Sequence, residues 1–427
     1  MESPFSYRQK ELYCDDAPLR AIASECGTPC YVYSARGIVA RYRAYDEAFG
    51  DLPHQVCYAV KANSNLAILR LLAQLGAGFD IVSAGELYRV LQAGGDPETV
   101  VFSGVGKTEA EIEYALDRGI HSFNCESEAE LEALSSIASR RNQVAQVSIR
   151  VNPDVDASTH PYISTGLKDN KFGIDIDEAG SIYDRVRSLP GLAATGVSCH
   201  IGSQMLDPAP VMAAVEKVVT LAGQLIRDGA PIEHLDLGGG LGIAYTREQR
   251  TPHIRHFIQE MRTKVRDLGL AVMIEPGRSI VGQCGVLLSS VVYRKRNGKK
   301  EFVILDAAMN DLIRPSLYSA HHEIWPVIQK EAEMLTADIV GPVCETGDFL
   351  ARNRELPTVE PGELVSVMTA GAYGFVLSSN YNSRPRVAEV LVDGAEWRVV
   401  RKRETFEDLV RGEEQGKFTA DDGNLTS

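Results

Sequence analysis

The sequence predicts an α/β chain: a (β/α)8 barrel of the TIM type followed by a second, mainly β (sandwich- or barrel-like) domain. Three observations predict it. Short apolar runs recur eight times between residues 56 and 278, each ending in polar residues or glycine. A helical pattern follows the runs, and strand alternating with helix is the signature of parallel strands joined by crossover helices. Beyond Arg278 the rhythm changes to strands and turns with little helix. Eight repeats favour a closed barrel over an open doubly wound sheet, the alternative that the same alternation allows.

In chain order the runs are VCYAVKA (56–62), GFDIVSA (78–84), TVVFSG (99–104), HSFNCES (121–127), QVSIRVNP (146–153), GVSCHIGS (196–203), HLDLGGG (234–240) and AVMIEPGR (271–278). Between the first two, Leu66, Leu69, Leu72 and Leu75 recur three residues apart and predict the buried face of a helix. Between the third and fourth, KTEAEIEYALDRG opens on a capping-box pair, Thr108 and Glu111, and closes on Gly119. Past the barrel, GVLLSSVVYRK and KKEFVILDA read as two strands about a tight Asn297-Gly298 turn. The basic run Arg294–Lys300 is then a solvated hairpin tip rather than a nucleic-acid patch. GELVSVMTAGAY and RVAEVLVDGAEWRVVRKRE continue the β pattern, and EEQGKFTADDGNLTS reads as a helix remnant and a frayed tail. The expected division is a barrel over 36–280 and a β domain over 281–427, joined by the N-terminal segment 1–35.

The 427 residues, 44% apolar and 24% charged, suffice for two domains. A net charge of −14 argues against nucleic acid or an anionic membrane as partner, while local arginines leave an anionic small molecule open. Eight scattered cysteines without a CxxC pair predict no metal site. The N-terminus lacks a basic start followed by an apolar run, and no apolar stretch approaches spanning length. The expected location is therefore the cytoplasm, with reduced thiols.

In such a barrel, reactive groups gather at the C-terminal ends of the strands. Those ends carry Lys61, Asp80 with Glu86 nearby, Asn124, Arg150, His200 with Ser203, Gly238–Gly240, and Glu275 with Arg278. A cation ending a core strand needs a partner, because an isolated buried charge is expensive. LDLGGGLG after a strand can bring backbone N–H groups close to a phosphate, although glycine runs also make plain tight turns. Together, a strand-end amine, a phosphate cradle and a strand-end carboxylate are what a pyridoxal 5'-phosphate (PLP) site needs. The amine forms the Schiff base, the turn holds the phosphate, and the carboxylate keeps the pyridine nitrogen protonated. The attacking lysine must be partly neutral, so desolvation is expected to lower its pKa.

The chain carries an ordered series: YAVKAN (58–63), FDIVSAGEL (79–87), NCESEAEL (124–131), RVNPDV (150–155), THPYISTGLKDNKFGI (159–174), HIGSQ (200–204), DLGGGLGI (236–243), EPGRS (275–279), NDLIRPSLY (310–318), CETGDFLA (344–351) and GAYGF (371–375). By these stretches, from about residue 25 to 410, it resembles the PLP-dependent decarboxylases of the alanine-racemase-like (fold type III) barrel, and within them the diaminopimelate-specific branch. The resemblance implies a carboxy-lyase converting meso-2,6-diaminopimelate to L-lysine and CO2, the last step of lysine biosynthesis. It also implies that Lys61 binds PLP covalently, His200 stacks on its ring and Glu275 pairs with its pyridine nitrogen. Ser203, Gly239, Gly240 and the EPGR backbone, with Gly277 and Arg278, would hold the phosphate, with Tyr373 reaching in from the β domain. Arg278, Arg314 and Tyr318 would bind the distal carboxylate, two guanidiniums and a phenol making a directional clamp. Cys344 and Glu345 would come from the other subunit of a homodimer with shared sites, Cys344 as a catalytic residue. Asp80, Glu86 and Arg150 would form a layer behind the lysine and cofactor.

Thr346 departs slightly from the family's usual serine, keeping the hydroxyl. Read singly, His200 could be a satisfied core histidine, Cys344 a buried thiol, and Arg314 a surface residue capping a turn. For the whole chain the alternatives are a decarboxylase of ornithine, lysine or arginine on the same fold, a racemase of the same barrel, or a non-catalytic PLP-binding regulator.

Overall fold

The structure, a computed structural model, describes residues 3–156 and 171–413. Most of the quoted stretch 159–174 and the C-terminal tail beyond 413 lie outside the described residues.

All eight apolar runs become parallel strands: His54–Ala59, Gly78–Ile81, Val100–Phe102, Ser122–Cys125, Ala145–Asn152, Leu192–Ser198, His234–Asp236 and Ala271–Ile274. Each pairs with the next, and the last closes on the first with Ile274 opposite Val56. The sheet is thus a closed barrel without free edges rather than an open doubly wound sheet. The register sets Ala59 beside Asp80, so the chain leaving the first strand meets a carboxylate at the end of the second.

The first strand ends at Ala59, and Lys61 sits in the one-turn 3-10 helix Val60–Ala62 that follows. In the helix Leu66–Ala73, Ile68, Leu69 and Leu72 are buried, whereas Leu66 is 37% exposed and Leu75 lies past the end. The expected four-leucine face is corrected by geometry: a three-residue step falls about 60° short of a full turn, so leucines nine apart point to opposite sides. The helix Glu109–Arg118 has its capping box, Thr108 Oγ1 accepting from the Glu111 N–H, and ends on Gly119 in the left-handed region. The helix Ala209–Arg227 is long and apolar enough by composition to cross a membrane, which amends the expectation that no stretch approaches that length. In the fold it belongs to the outer ring of the barrel, burying Val211, Met212, Val215, Val218, Ala222 and Leu225.

The second sheet is built around Cys30–Ser34, all five residues of which are buried. This strand runs antiparallel to Gly285–Asn297, with Tyr31 opposite Leu287, and parallel to Ala388–Asp393, with Val32 opposite Val390. The hairpin after the barrel pairs Asn297 with Lys300, so its central residues are Gly298 and Lys299, one position later than expected. Gly298 supplies the positive φ (59°) that such a turn demands. The basic run is tied to the domain's own carboxylates, Arg294 Nη1 to Glu360 Oε1 at 2.7 Å and Lys300 Nζ to Asp338 Oδ2 at 2.6 Å. The two sheets meet at the barrel mouth, where the Tyr373 N–H donates to the Ala62 carbonyl (2.8 Å) and Asn63 Nδ2 to the Gly371 carbonyl (3.1 Å).

Candidate active site

The ends of the barrel strands open into a cavity of about 620 Å³ lined by Lys61, His200, Ser203, Gly240, Glu275, Gly277, Arg278, Arg314, Tyr318 and Tyr373 among others. Lys61 is the amine in its wall. Its side chain is 37% exposed, and its Nζ makes an ion pair with Asp80, which is fully buried. Burial pushes the Lys61 pKa down, but Asp80, Glu275 and Tyr373 push it up and prevail. The expectation of a lowered lysine pKa is therefore corrected: in the protein alone the ammonium is stabilised, because desolvation is only one of the forces on a charge facing carboxylates. Asp80 lies behind the lysine rather than in the cavity wall, and its Oδ1 has no hydrogen-bond partner.

Glu275 continues directly from the last strand and is held from both sides. Ser103 Oγ and Asn124 Nδ2 each lie 3.3 Å from its Oε1, and the same Asn124 nitrogen donates to Asp236 Oδ2 at 2.9 Å. Burial, with Asp236 and Asp80 nearby, pushes the Glu275 carboxyl well above the usual range. Burial raises Asp236 too, against hydrogen bonds from Asn124 Nδ2 and the Gly238 N–H that lower it.

His200 is not a core histidine, since it lines the cavity. Its Nδ1 accepts the Gly239 N–H at 3.1 Å, which leaves the ring proton on Nε2. Burial, then Arg150 and Lys61, holds the imidazole well below its usual pKa and therefore neutral. Arg150 lines the cavity instead of lying in a layer behind it, and it donates to the His200 carbonyl (3.3 Å) and to Glu126 Oε1 (2.7 Å). Glu86 lies farther back, accepting the Val82 N–H at 2.8 Å, with burial pushing it up to about 7.

Two loops form a cradle. The Met205 N–H donates to the Gly240 carbonyl (2.9 Å) and the Gly242 N–H to the Met205 carbonyl (2.8 Å). Gly240 is required here: at φ 104° a Cβ would stand 2.3 Å from the Gly202 carbonyl oxygen. Arg278 leans into this cradle, donating to Ser203 Oγ at 3.1 Å. Tyr373, itself at φ 54°, places its ring 4.8 Å from the Arg278 guanidinium. An amine, a buried carboxyl, a flat neutral imidazole and a cation over a glycine cradle fit the aldehyde, ring nitrogen, ring face and phosphate of PLP.

Arg314 is no surface residue: only 5% exposed, it lines the same cavity. Cys344 is no buried thiol: it is exposed, and its backbone N–H is bound by Asn382 Oδ1 at 2.9 Å. Glu345 accepts from the Tyr381 hydroxyl at 3.0 Å, and neither residue lines the cavity of its own chain. The sequence reading missed Tyr245, which lines the cavity beside both arginines, His322, which stands behind Arg314, and Ser103 beside Glu275. Tyr245 and His322 follow the quoted stretches DLGGGLGI and NDLIRPSLY by two and four residues, so each stretch continued was the available signal.

A family model described as "Pyridoxal-dependent decarboxylase, pyridoxal binding domain" matches residues 35–282. The chain is 54% identical over 409 residues to a diaminopimelate decarboxylase of Pseudomonas aeruginosa, covering 96% of this chain and 98% of that one. To its counterpart in Vibrio cholerae it is 50% identical over 407 residues, 95% and 97% of the two chains. Among solved structures it is similar to diaminopimelate decarboxylase from Helicobacter pylori complexed with L-lysine. The TM-score is 0.89 at 44% identity, over 92% of this chain and 98% of that one.

Proposed function

The chain belongs to the family of pyridoxal-dependent decarboxylases, and from that membership we infer that it converts meso-2,6-diaminopimelate to L-lysine and CO2, the last step of lysine biosynthesis. One observation carries the substrate: Arg278 and Arg314 are both buried in the wall that also bears Lys61. A substrate with a single carboxylate leaves such a pair without a counter-charge, whereas a second carboxylate satisfies it.

Bound PLP supplies an electron sink for the pair left behind when CO2 departs. The chain's own residues do the rest. Lys61 Nζ holds the cofactor, and the neighbouring Asp80 carboxylate stabilises each proton that this nitrogen gains. Glu275, buried at the end of the last strand with its pKa raised, would pair with the pyridine nitrogen and hold a proton there. His200 presents a neutral ring face whose orientation the Gly239 N–H fixes. Ser203, Gly239, Gly240, Gly277 and the Arg278 backbone receive the phosphate with Tyr373, and the Arg278 and Arg314 guanidiniums with Tyr318 orient the substrate by its distal carboxylate. The Cα proton comes from Cys344 or Lys61. We further propose a cytoplasmic homodimer in which Cys344 and Glu345, exposed on their own chain, complete the neighbouring site.

Measuring CO2 release from meso-diaminopimelate, ornithine, lysine and arginine side by side tests this reading. Release from diaminopimelate alone is expected. Preferred release from a basic amino acid would sink it, and no release from any of them would favour a non-catalytic regulator.

A further inference from the structure

Arg278 and Arg314 are two like charges in a poorly solvated place, 7% and 5% exposed, and burial, then Arg278, lowers the Arg314 pKa. Left alone, such guanidiniums swing apart. Two side chains prevent it. The Tyr245 hydroxyl accepts from Arg278 Nη1 at 2.7 Å, while the Tyr245 ring lies 4.7 Å from the Arg314 guanidinium carbon. One phenol thus holds one arginine by its oxygen and the other by its π-face.

His322 stands behind the wall, fully buried and outside the cavity lining. Its Nδ1 is 2.8 Å from the Met368 carbonyl oxygen, which can only accept, so Nδ1 carries the proton. The bare Nε2 therefore accepts from Arg314 Nη1 at 2.9 Å. Burial and Arg314 push this imidazole down to about 3, so it stays neutral and keeps that lone pair. Its ring meets Tyr245 edge-on at 5.5 Å, joining the two supports.

We propose that Tyr245 and His322 are positioning residues that fix the aim of Arg278 and Arg314, and through them the preference for a substrate end bearing a second carboxylate. The proposal rests on the reading of these arginines as the distal-carboxylate clamp. The product L-lysine retains that distal carboxylate, whereas cadaverine carries both amines and no carboxylate. The test compares inhibition of the PLP-loaded enzyme by these two compounds in His322→Asn, His322→Gln, Tyr245→Phe and Arg314→Met.

Asparagine can still donate to Met368 but offers Arg314 no acceptor, and glutamine can place an amide oxygen where Nε2 stood. His322→Asn and Tyr245→Phe are expected to raise the inhibition constant of L-lysine and the KM for diaminopimelate about 10-fold, as for a hydrogen bond to a charged group. The cadaverine constant should stay within about 2-fold, the larger effect falling on KM rather than kcat, and His322→Gln should recover most of the loss. A parallel rise for both inhibitors, or no rise for L-lysine, overturns the positioning role. Should His322→Asn fail to fold, judged by its cofactor absorbance, His322→Leu, which also offers Arg314 no acceptor and lies outside the cavity lining, decides by the same comparison. Arg314→Met separates the two ideas. If it leaves L-lysine inhibition unchanged, the clamp itself fails and the proposal with it. If it weakens L-lysine while His322→Asn and Tyr245→Phe do not, only the positioning role fails.

Discussion

At Lys61 two opposing forces meet. Burial favours the neutral amine, while Asp80, Glu275 and Tyr373 favour the ammonium and win. On the proposed assignment of Lys61 as the amine that captures the cofactor, Asp80 opposes the neutral form which capture needs. Asp80→Asn removes the largest raising influence, so the pH midpoint for PLP uptake by the apoenzyme should move down. Stopped-flow absorbance across a pH series measures it, and an unmoved or higher midpoint would show that Asp80 does not control the amine. The residue types here were legible in the sequence, since Lys61, Asp80 and Glu275 all stand at or just past strand ends. Their balance was not, because it depends on which carboxylates the barrel closure brings beside the lysine. Tyr245 and His322 escaped for a related reason: a phenol and an imidazole acting through arginines carry no signature until the arginines are seen to share one wall.

Among elements, the strand Cys30–Ser34 matters out of proportion to its length. It is central in the second sheet, paired on both sides, and precedes every strand of the barrel in the chain. Deleting residues 1–35 should therefore not yield a trimmed enzyme but leave Gly285–Asn297 and Ala388–Asp393 with unpaired, aggregation-prone edges. Soluble expression with native circular dichroism in that truncation would contradict this. Local signals predicted elements well where chemistry dictates geometry, as with Thr108, Glu111 and Gly119 around one helix. They failed where a repeat was taken for a face. Leu66 and Leu75 belong to a three-residue spacing that drifts around the helix, and what is buried is Ile68, Leu69 and Leu72.

For the whole molecule, acid sensitivity follows from histidines buried uncharged. His234, hydrogen-bonded to Ser148 at 2.8 Å, is pushed down to about 4 by burial and by His121. Its folded pKa lies below its unfolded value of about 6.5, so its contribution is complete above that pH and is lost as the pH falls toward 4. Glu86 and Asp311, raised by burial to about 7 and about 6, act in the opposite direction over part of the same range. A comparison with His234→Gln isolates the histidine. The wild type should lose stability relative to the variant by up to about 1.4 kcal/mol per pH unit between about 6 and 4. Urea titrations at several pH values measure it, and parallel pH curves for the two proteins would refute it. Assembly is testable on the same scale. Lys61→Ala is expected to be inactive and Cys344→Ala strongly impaired, yet mixed and re-equilibrated they should rise to about a quarter of wild-type activity, from hybrid dimers holding one intact site. No recovery despite hybrid formation would mean that Cys344 serves its own chain.

The sequence by itself determined the alternation that makes the barrel and the change of rhythm where the second sheet begins. It also determined which functional groups stand at or just past the strand ends at Lys61, His200, Glu275 and Arg278, because periodicity and residue type are local properties. Only the tertiary structure decided which groups face one another. Pairing of the first two strands set Ala59 beside Asp80, and barrel closure brought Asn124 to both Asp236 and Glu275. The docking of the β domain brought Arg314 over Tyr245 and Tyr373 over Arg278. Charge states and the aim of a clamp arise from such pairings, and residues far apart in the chain meet only when burial of the whole apolar core drives the fold together.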